Sequence, residues 1–298
     1  MGFTSMDDLL AQISAGKTQR VEISKLITPA SLAGYWSNLA RYDGNPPAST
    51  FAGTSLTYYP TDATSAGAPY IGGAPGGNAT KHIINASANI FAAAGAPWIL
   101  MCCDQLGYIP LAEAAIENNT GEQTITMTPL DGAARYAAGV GCRALVSCYT
   151  APTLGGNSIS SFKYKNVAGD SHVAPQTLTQ VAAPVAGQVT HSGNAAGRYA
   201  PFIPLAAGDT GISDIEAITF VAGTQYTGAG AFVIQLVRPL FTLPLPANGI
   251  MTERDFVNQL PSLPRIIDGA HIIFLLFQTG ATTNASPVYI TMDLAYGG

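Results

Sequence analysis

The side chains best equipped for chemistry are four histidines, His82, His172, His191 and His271, and four cysteines, Cys102, Cys103, Cys142 and Cys148. A hydrolase would need a nucleophile, a base and an orienting acid, but the Gly-x-Ser-x-Gly elbow is absent and no histidine sits in a catalytic signature. A metal centre would want ligands at fixed short spacing, and neither H-x-x-x-H nor C-x-x-C occurs. Adjacent Cys102 and Cys103 on a strand point to opposite faces, so they cannot share one tetrahedral ion there. His82 and His271 lie in apolar strand patterns and His172 and His191 in or beside polar loops, where structural or solvated roles are expected.

The acids are equally sparse. Asp7 and Asp8 suit a helix N-terminus, Glu113 and Glu117 lie four apart, and Asp214 and Glu216 flank a strand start. None of these pairs makes a case for the two facing carboxylates of a glycosidase. Asp62, Asp170 and Asp209 lie in loops where Asx-turns are the ordinary reading. Gly72-Gly-Ala-Pro-Gly-Gly-Asn lacks the Gly-Lys-Ser/Thr of a phosphate cradle, and Gly139-Val-Gly141 reads as a turn. The expectation is a protein with no catalytic residues, no cofactor and no metal.

Composition points toward assembly. Charged residues make up 10% of the 298-residue chain, against about 25% in an ordinary soluble domain. Residues 171–250 carry only Arg198, Asp209, Asp214, Glu216 and Arg238. A neutral, lysine-poor surface closes against protein at low desolvation cost. The net charge of −5 and the scattered basic residues argue against direct nucleic-acid binding. The longest apolar run, residues 272–277, is too short to span a bilayer, so no membrane partner is expected. Residues 1–15 lack the apolar core of a secretory leader, and unpaired cysteines fit a reducing cytosol.

The elements that would position any site are mostly strands. Met6, Leu9, Leu10 and Ile13 form a helical stripe capped by Ser5 and ended by Gly16. A second helix is expected after Thr28-Pro29, with Leu32, Tyr35, Trp36 and Leu39 on one side. From Ala48 onward, short apolar runs alternate with turn residues. Strands are predicted over 81–90, 98–106, 123–128, 141–149, 158–164, 176–181, 198–205, 215–220, 231–237, 270–278 and 288–294. Residues 58–78 read as a loop or arm. Residues 239–246 read as an extended Pro-rich clasp unable to join a central ladder. Thr252 with Asp255 suggests a connecting helix near the C-terminus. The expected fold is mainly β: a β-sandwich or jelly-roll-like body over 47–298, preceded by a short helical N-terminal arm over 1–46. Removal of residues 1–27 should then leave the body folded and weaken assembly.

Aromatic and apolar residues in the arm and clasp are the candidate interface: Leu9, Leu10, Ile13, Tyr35, Trp36, Tyr58, Tyr59, Phe241, Leu243 and Leu245. Several motifs recur in a familiar order. Trp36 is followed by Pro60-Thr-Asp-Ala-Thr-Ser-Ala-Gly-Ala-Pro and Pro75-Gly-Gly-Asn, then Arg135-Tyr-Ala-Ala-Gly-Val-Gly and Tyr149-Thr. Tyr164-Lys-Asn-Val-Ala-Gly, Leu205-Ala-Ala-Gly-Asp-Thr-Gly-Ile and Gly230-Ala-Phe-Val-Ile-Gln-Leu-Val-Arg complete the series. Over residues 28–295 this order resembles virion structural proteins of tailed bacteriophages, with residues 175–194 inserted. The resemblance implies a virion component without catalytic residues. A capsid decoration or cement protein is the first reading, with the major capsid protein and copies of itself, as a trimer, for partners. A tail, baseplate or neck part is the alternative. A carbohydrate- or receptor-binding module using Tyr58, Tyr59, Tyr226 and Asp170 is a further one.

Overall fold

A computed structural model describes residues 3–28, 33–50, 60–61, 67–72, 80–91, 96–111, 122–124, 135–151, 158–179, 184–191, 200–220, 231–280 and 285–297. One helix, α1 (Met6–Ser14), precedes β1 (Thr18–Ile27), β2 (Tyr35–Asn38), β3 (Asp43–Asn45), β4 (Thr80–Ile90) and β5 (Trp98–Leu111). Then follow β6 (Glu122–Thr124), β7 (Arg143–Thr150), β8 (Ser158–Asn166), β9 (Ser171–Val173), β10 (Leu178–Thr179) and β11 (Ile212–Phe220). The chain continues through β12 (Ala231–Leu245), β13 (Thr252–Asp255), β14 (Arg265–Ile266), β15 (His271–Gln278) and β16 (Ser286–Gly297). The protein is mainly β and sandwich-like.

Three antiparallel sheets divide the work. A central sheet runs β2-β15-β5-β12-β7, a first outer sheet β13-β4-β16-β1-β3 with β14 also on β4, and a second outer sheet β10-β8-β11-β6 with β9 on β8. β15 is covered on both faces, which is why it carries the unbroken apolar run Ile-Ile-Phe-Leu-Leu-Phe. One face serves two cores in succession. Trp98, Leu100, Cys102, Phe241, Leu243 and Leu245 pack with the first outer sheet. Farther along the same two strands, Leu106, Ile109, Leu111, Phe232, Ile234 and Leu236 pack with the second. Register shifts at Leu236/Val237 and Pro239/Phe241 of β12 re-phase the alternation between the halves.

The opposite face encloses a third cluster of Trp36, Cys103, Leu145, Val189, Val237, Ile273 and Leu275. Residues 187–190 seal it by bridging the two edge strands of the central sheet. Val189 N–H donates to Trp36 C=O at 2.8 Å, Asn38 N–H to Gly187 C=O at 2.7 Å, and Cys148 N–H to Gln188 C=O at 2.8 Å. Residues 187–190 thereby link β2 to β7 and cover those stretches of the two edge strands. Gly187 permits this with φ +86°, where an added Cβ would stand 2.9 Å from the Tyr42 ring.

Several expectations need correction. Residues 35–38 form β2 and 39–41 a single 3-10 turn, not an α-helix, because β15 and Val189 supply backbone partners that outweigh the helical spacing; residues 29–32 lie outside the described residues. The C-terminal connecting helix does not form: Thr252–Asp255 is a strand on β4, and Asp255 receives Val257 N–H at 2.8 Å in an Asx-type turn. Residues 200–205 are irregular, with Pro201 and Pro204 breaking the run. Residues 239–245 do join the ladder. Among the described residues they pair as a strand with β5 alone, since β7 pairs β12 only over 231–237, so the prolines meet a side without a neighbouring strand.

Among the described residues of the N-terminal segment the α-helix is confined to α1, where Ser5 is the cap as predicted and its side chain accepts from Asp8 N–H. β1 lies inside the first outer sheet, paired along its length with β16. Val21, Ile23 and Ile27 are buried there, so residues 1–27 are not a dispensable arm. Deletion of residues 1–16 is expected to lower stability by about 2–5 kcal/mol, from lost burial around Leu9 and Phe3, while unfolding stays cooperative. Deletion of residues 1–27 is expected to abolish the cooperative transition. Differential scanning calorimetry of both truncations checks the pair.

Candidate assembly surface

Interior charges in this protein hold loops. Lys25 stands at an inward position of β1, 3% exposed, and its Nζ donates to the carbonyls of Tyr42 (3.2 Å) and Pro46 (2.7 Å). Burial pushes its pKa down to about 8, with Asp43 opposing the shift. Lys81 on β4 donates to the carbonyls of Ile71 and Gly72, and its ammonium lies 5.4 Å from the Tyr296 ring. Each cation caps carbonyls that would otherwise be buried without donors.

The largest such cluster lies where the central sheet passes from one core to the other. Asp104 on β5 is fully buried opposite Ile272 and Arg238. Its Oδ2 stands 3.3 Å from Arg135 Nε, and its Oδ1 accepts His271 N–H at 3.1 Å. Arg135 also donates to the carbonyls of Gly269 (2.7 Å), Gln105 (2.9 Å) and Pro60 (3.4 Å). Arg238 stacks over the Tyr136 ring at 4.3 Å and donates to Val140 C=O at 2.5 Å. Burial raises the Asp104 pKa to about 6, and Arg135 and the His271 amide pull it back.

The histidines are absorbed in the same way. His82 bridges Thr80 Oγ1 (3.0 Å) and Leu263 C=O (2.8 Å), and burial lowers its pKa. His271 is buried with Nδ1 3.3 Å from Thr61 C=O. His172 lies in β9, where Nδ1 meets Asp209 Oδ2 at 2.7 Å; Tyr164 and Asn166 also donate to that carboxylate. His191 is buried rather than solvated. All four cysteines are buried and unpaired, and desolvation raises their pKa values, which keeps the thiols inert. Among the described residues, no group of three or more His, Cys, Asp or Glu could hold a metal ion. No described helix is long and apolar enough to cross a membrane.

The predicted interface residues scatter. Phe241, Leu243 and Leu245 are core, Trp36 fills the sealed third cluster and Leu9 is buried under α1, so none of these is open to a partner. Leu10 is exposed, Ile13 and Tyr35 are half-buried, and Tyr58 and Tyr59 lie outside the described residues. The clasp reading failed because alternating apolar residues between prolines equally suit a one-sided core strand. The clamping residues were missed, although Asp104 inside Trp-Ile-Leu-Met-Cys-Cys-Asp is a charge interrupting a buried run, and Lys25 interrupts the alternation Val21, Ile23, Ile27.

What faces outward is the far side of the first outer sheet. Two shallow grooves there, of about 620 and 290 Å³, are floored by β1, β4 and β16. Arg20 pairs bidentately with Asp293 (2.8 and 3.1 Å), and Asn85 donates to Glu253 at 2.7 Å. Phe91 and Tyr289 meet edge-on at 6.0 Å and stay about half exposed, as do Ile250 and Met251.

No family model matches the sequence, and no curated protein does either. Among solved structures, the infectious bursal disease virus Gx strain aligns over 93% of this chain and 79% of that one, at 8% identity and TM-score 0.19. The Gt strain gives 94%, 81%, 9% and 0.20, and T=1 particles derived from infectious bursal virus give 94%, 78%, 5% and 0.21. Superpositions this loose establish neither a common fold nor a common role.

Arg135→Met is expected to destabilise the protein by about 3–5 kcal/mol, because it strands Asp104 and three buried carbonyls. Adding Asp104→Asn should recover part of the loss. Because the folded pKa of Asp104 lies above its usual 3.8, its stabilising contribution is complete below about pH 4 and is lost as pH rises through about 6. The stability of the wild type relative to Asp104→Asn should therefore fall across that window and be flat outside it. Urea denaturation of each protein from pH 4 to 8 tests both expectations.

Proposed function

We propose that this chain is a non-enzymatic virion structural protein, a capsid decoration or cement protein that stabilises a head by bridging major capsid subunits and contacting further copies of itself. The observation that carries the reading is the fate of the charges. His82, His172, His271 and the best-buried cations are engaged with neighbouring loops and strands, and the chain has only 13 Lys and Arg in all. The remaining surface is sparsely charged, with exposed Phe91, Tyr289, Ile250 and Met251, the composition that closes against protein with little desolvation cost. The ordered motifs resembling tailed-phage virion proteins give the reading its setting. A body braced by a shared central sheet suits a part that transmits load between subunits, and repeated weak contacts stabilise a shell by mass action.

The polar grooves over Arg20, Asp293, Asn85 and Glu253 support a second reading, a carbohydrate-binding surface, since planar polar side chains of this kind match sugar hydroxyls. Cryo-electron microscopy of particles assembled with and without the protein separates the possibilities. Density repeated over the capsid lattice is the expected result. Density confined to neck or tail would replace decoration with the alternative virion role. Absence from particles together with glycan-array binding would replace both.

A further inference from the structure

The first outer sheet has one edge that is only part covered. β3 pairs with β1 at Ser24, Lys25 and Leu26 and goes no further. Pro46 and Pro47 follow directly, lack N–H donors, and are drawn aside by Lys25 Nζ on their carbonyls. Among the described residues, nothing pairs with residues 18–23 of β1 on the side away from β16. Open strand edges recruit strands, and the side chains along them decide which.

Here the edge is complementary to itself. Arg20 and Glu22 point outward and are exposed, while Val21 and Ile23 point into the core. A second copy brought up antiparallel about a twofold axis must align outer face with outer face, because a one-residue slip inverts every side chain. Two such registers fit the open stretch. One centres on Arg20 and sets it against itself. The other centres on Val21, places Arg20 of each copy opposite Glu22 of the other, and ends at Ile23, where β3 takes over the edge. We infer that two copies of this chain join through β1, antiparallel and centred on Val21, so that the first outer sheets of both become one continuous sheet.

Five paired residues span about 17 Å, a short contact that makes a weak dimer on its own and a useful joint when repeated in an assembly. The inference deepens the assembly reading and rests on it for the choice of a second copy as occupant. The two fail separately: particle microscopy tests location, and solution self-association tests this joint. The charge-swap series is made in an Asp293→Asn background, so that the Arg20–Asp293 pair does not confound it. Sedimentation equilibrium up to about 500 μM should give a monomer–dimer equilibrium with Kd on the order of 10–100 μM. Glu22→Arg, which sets cation against cation twice, should weaken it at least about tenfold, and Arg20→Glu/Glu22→Arg should return it to within about threefold. In the wild type, amides of residues 19–23 should exchange more slowly as concentration rises. A monomer throughout the range, a trimer, a dimer indifferent to Glu22→Arg, or concentration-independent exchange at residues 19–23 would each overturn the joint.

Discussion

Asp104 sits on the face of the central sheet at the point where that face leaves one hydrophobic core and enters another. A carboxylate there is far from water, and its cost is offset by Arg135 and the His271 amide. The same guanidinium collects carbonyls from residue 60, from β5 and from the turn before β15. A single ion pair therefore joins both halves of the molecule with a segment remote in sequence. Hydrophobic packing alone would not fix this junction, because apolar contacts lack direction, whereas a fork of N–H donors accepts only one arrangement of oxygens.

The junction explains the two long strands. β5 and β12 each contribute to both cores, and each must shift phase between them to keep apolar residues on the shared face. The shifts fall around Asp104 and Arg238, which face each other across the ladder. Residues 187–190 then link the edge strands β2 and β7 of the central sheet. Among the described residues, β1 at the periphery of the first outer sheet keeps an edge that is part open.

Economy of charge runs through all of this. Lys25, Lys81 and Arg135 are drawn inside to satisfy loop carbonyls, so the surface is poorer in cations than the composition implies. The surface charges that remain are sparse and net negative, which gives little attraction toward an acidic partner. Its contacts must come from shape, strand edges and exposed rings such as Phe91 and Tyr289, which act at short range and gain from repetition.

The sequence by itself determined the class of fold and most of the strands. Short apolar runs between Gly, Pro and Asn can bury a face only as strands, and the Ser5 cap with Asp7 and Asp8 admits a helix at residues 6–14. It also determined that Cys102 and Cys103 part to opposite faces, because strand geometry is local. Tertiary structure alone decided that Tyr35 and Trp36 would extend rather than coil, since the partners that hold them, β15 and Val189, lie more than 150 residues away. It decided likewise that Phe241, Leu243 and Leu245 would be core and that Thr252 would begin a strand. The reason is common to these cases. A short amphipathic segment stores too little energy in its own pattern to choose a conformation, and the choice falls to whichever distant backbone presents unpaired donors and acceptors.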